Sequence, residues 1–367
     1  MVCALHPMSV KPCYNMPLIF YFLWNFFMKL RQDGLIPMDS GTKRELNEVH
    51  IARSLAIFLV VMLHASGAYF LTFSDSWNLI TTYSSFTRQC IGLFFIITGY
   101  LYYAKEIDAT SHIRKGFINL VVPFSIWWLF YFLYNGYFNN LHVNSIFQPT
   151  EVHLWFMYAY ICIFMFLPII SNPLKKLPTH YILTIIAMIF YVQSFVPYAH
   201  RAFFSLHWLN LDFISENGVY ILVGALIRRY KDKIATHSSI IYLFLNILMC
   251  FMTAFATYWW SHKMGKPEQL FFKNTAPFVF FSAITTFMFC VSVSNRVSPN
   301  LMCLLKKISN VSFGIYFIHF IFVRQLKLGY NIHNAWYMIP TLTLVYFTLS
   351  YAICILISKF KISRLIL

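Results

Sequence analysis

The strongest constraint on this chain is a succession of about ten apolar runs, each about 15 to 24 residues long. They lie at 51–73, 85–104, 116–138, 152–170, 181–197, 213–227, 239–260, 274–293, 311–328 and 335–358. A helix needs about 20 mostly apolar residues to cross a bilayer. In lipid the backbone must satisfy its own hydrogen bonds, and runs of this length do so as helices. The expected fold is therefore all-α: a polytopic membrane protein of about ten transmembrane helices with no soluble domain. Composition agrees, because charged residues make up only 11% of the 367 positions and hydrophobic residues 59%. A soluble domain carries about a quarter charged residues.

The net charge of +16 would suggest nucleic acid in a soluble protein. Here the Lys and Arg residues sit mainly between the apolar runs, so membrane orientation explains them and no nucleic-acid partner is expected. One set of loops, around 29–44, 105–115, 175–176, 228–233, 296–307 and 359–364, carries 19 of the 28 basic residues. The opposite set holds Arg88, Arg201, Lys263, Lys266, Lys273, Arg324 and Lys327. This imbalance puts both termini in the cytoplasm, with 74–84 and 261–273 outside. The 8 cysteines are scattered, without a CxxC pair or a Cys/His metal spacing. They read as small packing residues, and no metal site is expected.

Residues 1–38 read as an N-terminal extension and 39–367 as the membrane domain. The apolar stretch 17–28 is too short to span and lacks a small-residue cleavage site. Met38 would serve as an alternative start, since a polar stretch follows it and leads into the first long run.

An ionisable residue inside a spanning helix suggests function, because the bilayer makes it costly. Arg53 and His64 stand eleven residues apart in the first run. Eleven helical steps bring both side chains to one face, about 16 Å apart along the axis. Such a pair could bind an anionic donor at one end and handle protons at the other. The plainer alternative is a snorkelling arginine and a histidine bonded to a neighbouring helix. Other polar positions stand out: Glu151 and His153 at the outer mouth of the fourth run, and Tyr316 and His319 in the ninth. Asp212 and Glu216 share a helix face, where they would cap a helix or form an acceptor site. Arg88, at the edge of the second run, reads as an interfacial anchor. His64 and His319 have no evident histidine partner at matching depth, which argues against a haem or redox protein.

The stretch from Arg53 to His64, Arg-Ser-Leu-Ala-Ile-Phe-Leu-Val-Val-Met-Leu-His, resembles the Arg-x10-His signature of the acyltransferase family three proteins. Three further segments agree in order. Gly92-Leu-Phe-Phe-Ile-Ile-Thr-Gly-Tyr-Leu101 resembles the family's Phe-Phe-x-x-Ser-Gly-[Phe/Tyr]-Leu, with Thr98 in place of Ser. His153-Leu-Trp-Phe-Met-Tyr158 and Ser312-Phe-Gly-Ile-Tyr-Phe-Ile-His319 resemble its His-Leu-Trp-Phe-Leu and Ser-[Phe/Tyr]-Gly-Ile-Tyr-Leu-x-His segments. Where the family often has Asp-x-Leu-Arg, this chain has Asn47-Glu-Val-His-Ile-Ala-Arg53.

The resemblance implies a bacterial inner-membrane O-acyltransferase. It would move an acyl group, usually acetyl, from cytoplasmic acetyl-CoA or another acyl-CoA to a hydroxyl of a cell-surface carbohydrate or glycolipid. No bound cofactor is implied, and membrane lipid is the remaining partner. Arg53, with Arg114 and Lys115, would meet the CoA phosphates. His64 would act either as base or as acyl carrier. His153 belongs to the implied site, and Glu151 or Glu216 would orient the imidazole or the acceptor. The rival reading is a polysaccharide or lipid-linked sugar exporter of similar topology, which would line a path with polar groups and have no single indispensable base.

The orientation is testable by cysteine labelling in intact cells. Cysteines placed in 261–273 are expected to react with an impermeant reagent. Cysteines placed in 228–233 are expected to stay protected until the membrane is opened; reaction there in intact cells would reverse the orientation.

Overall fold

The computed structural model of the chain describes residues 46–103, 106–139, 149–195, 217–326 and 334–360. All of them belong to one compact unit that begins at Leu46. The extension 1–38 and the candidates Asp212 and Glu216 lie outside the described residues.

No strand occurs among the described residues. The helices are α1 (Asn47–Phe70), α2 (Trp77–Thr87), α3 (Gln89–Tyr103), α4 (Ala109–Gly116), α5 (Val122–Asn139), α6 (Trp155–Lys176), α7 (Thr179–Phe190), α8 (Gly218–Arg229), α9 (Lys231–Thr236), α10 (Ser239–Met264), α11 (Pro277–Val293), α12 (Pro299–Asn310), α13 (Ser312–Leu326) and α14 (Ala335–Ser358). A π-helical turn, Phe117–Val121, joins α4 to α5, and a 3₁₀ turn, Val152–Leu154, precedes α6. The described part of each of the ten apolar runs is mainly helical. Among the described residues, six helices are long and apolar enough to cross a membrane, counting α4 and α5 as one. The pair α12 and α13, bent by 69°, makes a seventh if it is one span. The described parts of the runs 85–104, 181–197 and 213–227 lie chiefly on the shorter helices α3, α7 and α8.

One boundary differs from the expectation. The stretch 74–84, expected as a loop, is mostly α2, with Trp77, Ile80, Thr81 and Ser84 buried. Its hydroxyls mask their own polarity. Ser85 Oγ donates to the Thr81 carbonyl at 2.7 Å and Thr82 Oγ1 to the Asn78 carbonyl at 2.9 Å. Such back-bonding lets a polar-looking segment stay helical among apolar neighbours.

Helix α1 is the hub and packs on α2, α3, α11, α12, α13 and α14. Small residues make that possible: Ala52, Ala56, Ala65, Ser54 and Ser66 are all buried and allow close approach from several sides. Its first turn is clasped by charge. The Glu48 carboxylate meets Lys231 Nζ at 2.5 Å and accepts from the Tyr100 hydroxyl at 2.6 Å, with Arg228 at 3.9 Å. Farther along, Ser54 Oγ donates to the Leu305 carbonyl at 2.8 Å and ties α1 to α12.

The tightest pairing is α3 with α8. A Cβ on Gly99 would stand 2.1 Å from the Ile221 carbonyl oxygen, and one on Gly224 would stand 2.2 Å from the Ile96 carbonyl oxygen. Each helix thus places a glycine against the other's backbone. The segment 92–101 earns part of its sequence this way, since Gly92 also lies under the Tyr220 ring.

Gly224→Ala is expected to lower the melting temperature of the detergent-solubilised protein, because overpacking costs about 1–3 kcal/mol and here the obstacle is backbone. Gly136→Ala, which meets nothing within 4 Å, serves as the control and should change the melting temperature little.

Candidate functional site

Three histidines from three elements converge. His64 lies on α1, His153 in the 3₁₀ turn before α6, and His319 on α13. The ring centroids are 5.2 Å apart for His64 and His319, 5.4 Å for His153 and His319, and 6.2 Å for His64 and His153. The expectation that His64 and His319 lack a partner at matching depth is therefore corrected. Depth along one helix is readable from spacing, but the register between helices is a tertiary property. Phe320 closes the group, stacked on His153 at 4.6 Å and edge-on to His64 at 5.2 Å.

The local sequence fixes each ring. On α13, Tyr316, His319, Phe320 and Arg324 recur at three and four residues and so share one stripe of the helix. The Tyr316 hydroxyl donates to the His153 carbonyl at 2.6 Å. The Tyr131 hydroxyl on α5 donates to the Phe317 carbonyl at 2.6 Å, and its ring lies 5.2 Å from that of His153. Glu151 is extended and leads into the 3₁₀ turn. Its carboxylate pairs with Arg324, which also donates to Asn135 Oδ1 at 2.6 Å. Asn135 Nδ2 in turn donates to the Thr150 carbonyl at 2.7 Å. Residues 150–153 are thus pinned at consecutive points to α5 and α13. Burial holds the Glu151 carboxyl above its ordinary value, with Arg324 and Asn135 pulling the other way.

His319 Nδ1 lies 3.1 Å from the Ile315 carbonyl. A carbonyl only accepts, so Nδ1 carries the proton there, and in the neutral ring Nε2 keeps a lone pair. That Nε2 is buried without a hydrogen-bond partner among the described residues, as are both ring nitrogens of His153. Buried polar atoms are normally satisfied, so three orphaned nitrogens at one point mark a place for a ligand's polar atoms. His64 is half-buried, while the other two are buried, so it is the accessible member of the group. Among the described residues no group of three His, Cys, Asp or Glu is arranged to hold a metal ion.

The other candidates stand apart from this cluster. Arg53 lies on α1 about 16 Å below His64, has no carboxylate partner among the described residues, and interacts electrostatically with the hydroxyls of Tyr102 and Tyr160. Thr98, which replaces the family's serine, bonds Tyr160 Oη at 3.0 Å. Arg114 and Lys115 end α4, which is held by His112 stacked on Phe164 at 4.1 Å and edge-on to Tyr102 at 5.2 Å. Glu48 is spent on Lys231 and Tyr100 rather than on Arg53.

Sequence reasoning missed Arg324, Asn135, Tyr131 and Phe320. The stripe on α13 could have found Phe320 and Arg324; Asn135 and Tyr131 leave no such signal. Arg88 sits at the break between α2 and α3, with its Cζ 4.2 Å over the Phe272 ring.

No curated protein and no solved structure matches the chain. A family model described as an acyltransferase domain matches residues 46–359, nearly the whole chain. With its apolar helices and the histidine cluster that joins three of the family's segments, the chain is a multi-pass membrane protein that belongs to acyltransferase family three.

Proposed function

We propose that this protein moves an acyl group, acetyl in the simplest case, from a cytoplasmic acyl-CoA to a hydroxyl of a cell-surface carbohydrate or lipid-linked sugar. It would work in a bacterial inner membrane with both termini in the cytoplasm. The family supports acyl transfer. The observation that carries the finer reading is the convergence of His64, His153 and His319 around unpartnered imidazole nitrogens.

In this reading His64 takes the proton from the acceptor hydroxyl as its oxygen attacks the thioester carbonyl carbon. The C–O bond forms, the C–S bond breaks, and the thiolate leaves with the proton that His64 held. His153 and His319 offer acceptor nitrogens that orient the hydroxyl and the His64 ring. Glu151 acts at one remove, through Arg324, by holding the segment that bears His153. Arg53, a cation without an internal acid, suits the phosphates of the donor, with Arg114 and Lys115 as further basic groups.

His64→Ala is expected to abolish transfer of labelled acetyl from acetyl-CoA to membrane carbohydrate, with protein levels checked in the same membranes. Losing a base costs about two to four orders of magnitude in rate. Losing only a helix–helix contact would cost about 0.6–2 kcal/mol of stability, which a bundle of this size absorbs. Arg53→Ala should first raise the KM for acetyl-CoA, and Arg53→Lys should recover part of it, since a point charge does not reproduce a bidentate fork. Near-normal transfer by His64→Ala would overturn the reading and favour export.

A further inference from the structure

Arg88 is a half-buried cation, with its Nε enclosed, that the chemistry above does not use. It is the one residue between α2 and α3. Its guanidinium lies against the Phe272 ring. Its Nε is buried without a hydrogen-bond partner, and no carboxylate among the described residues pairs with it. A guanidinium partly withdrawn from water, with no anion beside it among the described residues, is expensive, and membrane proteins keep such groups where they have work to do.

Its position gives the work. Helices α1 and α2 form a hairpin, closed by Trp77 Nε1 donating to the Phe70 carbonyl at 2.9 Å. Within it Ser84 Oγ donates to Ser66 Oγ at 3.3 Å, which sets the two helices' relative level. From that contact Arg88 lies about 6 Å deeper along α2, and His64 about 3 Å deeper along α1. The two are level to within one helical turn, and the charge of Arg88 acts on the His64 ring. The mount is rigid. The next residue, Gln89, accepts from Asn246 Nδ2 at 2.8 Å and from the Thr286 hydroxyl, and donates to the Phe86 carbonyl at 3.0 Å. The start of α3 is thereby locked to α10 and α11.

We propose that Arg88 stabilises, through its forked N–H donors, the oxyanion formed at the acyl carbonyl when the acceptor hydroxyl attacks beside His64. This assignment rests on the acyl-transfer reading above. As the C–O bond forms, the carbonyl π pair moves onto oxygen, and a fixed guanidinium is matched to that charge. When the C=O bond re-forms, the thiolate is expelled and the oxygen is neutral again. Preorganised donors of this kind act on the transition state more than on bound substrate. The donor's phosphates do not explain Arg88, because the cation suited to them, Arg53, lies about 13 Å deeper in the bundle along α1.

The test uses the full chain in membranes, with radiolabelled acetyl-CoA as probe and label in the membrane carbohydrate fraction as readout. Arg88→Gln is expected to lower kcat by about two to three orders of magnitude, with the KM for acetyl-CoA within about twofold of wild type. Phe272→Leu, which removes the stacking partner but keeps the guanidinium, should leave kcat within a few-fold. An unchanged kcat for Arg88→Gln overturns the assignment, as does a raised KM at unchanged kcat, or a loss in Phe272→Leu equal to that in Arg88→Gln. If Arg88→Gln fails to accumulate, Arg88→Lys decides: a roughly tenfold loss of kcat at unchanged KM supports the fork, and an unchanged kcat overturns it. A wild-type protein that moves no label overturns the acyl-transfer reading and this assignment with it. An active wild type beside an equally active Arg88→Gln overturns this assignment alone.

Discussion

Hydrocarbon offers no hydrogen bonds, and that lack governs where polar atoms go in this bundle. Most find partners inside the protein. Gln89, Asn246 and Thr286 satisfy one another between α3, α10 and α11. Tyr131 and Tyr316 each give their hydroxyl to a main-chain carbonyl near the histidines. Arg229 spreads its donors over Tyr103, Thr179 and the carbonyls of residues 174, 175 and 177, where α6 ends. Among the described residues some buried atoms stay unsatisfied singly, as at Thr81, Arg88, Thr257 and Trp260, whereas both nitrogens of His153 and Nε2 of His319 do so together. A ligand that brings its own polar atoms would satisfy those nitrogens.

The site is a meeting of independently anchored pieces. His64 rides on α1, whose neighbours hold it on many sides. His153 is fixed by its flanking backbone, through Thr150, Glu151 and its own carbonyl. His319 is fixed by its own helix, through the Ile315 carbonyl. No ring depends on another for its placement, so a substrate can part them without undoing the anchors. This is the kind of support that a working constellation needs from the residues around it.

Much of this was legible in the sequence, and the gaps have physical causes. Apolar length identified helices because lipid permits little else. The spacing of Arg53 and His64 was readable because one helix is a known ruler. The pairing of His64 with His319 was not, because it depends on how α13 is set against α1, and contacts such as that of Tyr131 with Phe317, 186 residues apart, decide that. Glu151 was read as an orienting acid, but its partner Arg324 was counted as a loop charge because it stands near the end of its run. The helix that leads to Arg88 was not legible, because the hydroxyl-rich stretch before it reads as loop, whereas α2 starts at Trp77.

The reciprocal glycines of α3 and α8 have a consequence for motion. Packed helices usually adjust by small sliding shears. Sliding α3 along α8 by one residue would bring Thr98 or Tyr100 to the place of Gly99, where not even a single carbon fits. These two helices therefore move as one body, and α3 also packs on α1, the helix that carries His64. Any opening that admits substrate must happen where rings rather than backbones meet. The seam between His64 on one side and His153, Phe320 and His319 on the other is such a place, held by aromatic contacts. Helices α3 and α8 serve as the frame, and α6 is tied to it through the Thr98 and Tyr160 hydroxyls and through Ser171 Oγ on the Tyr102 carbonyl.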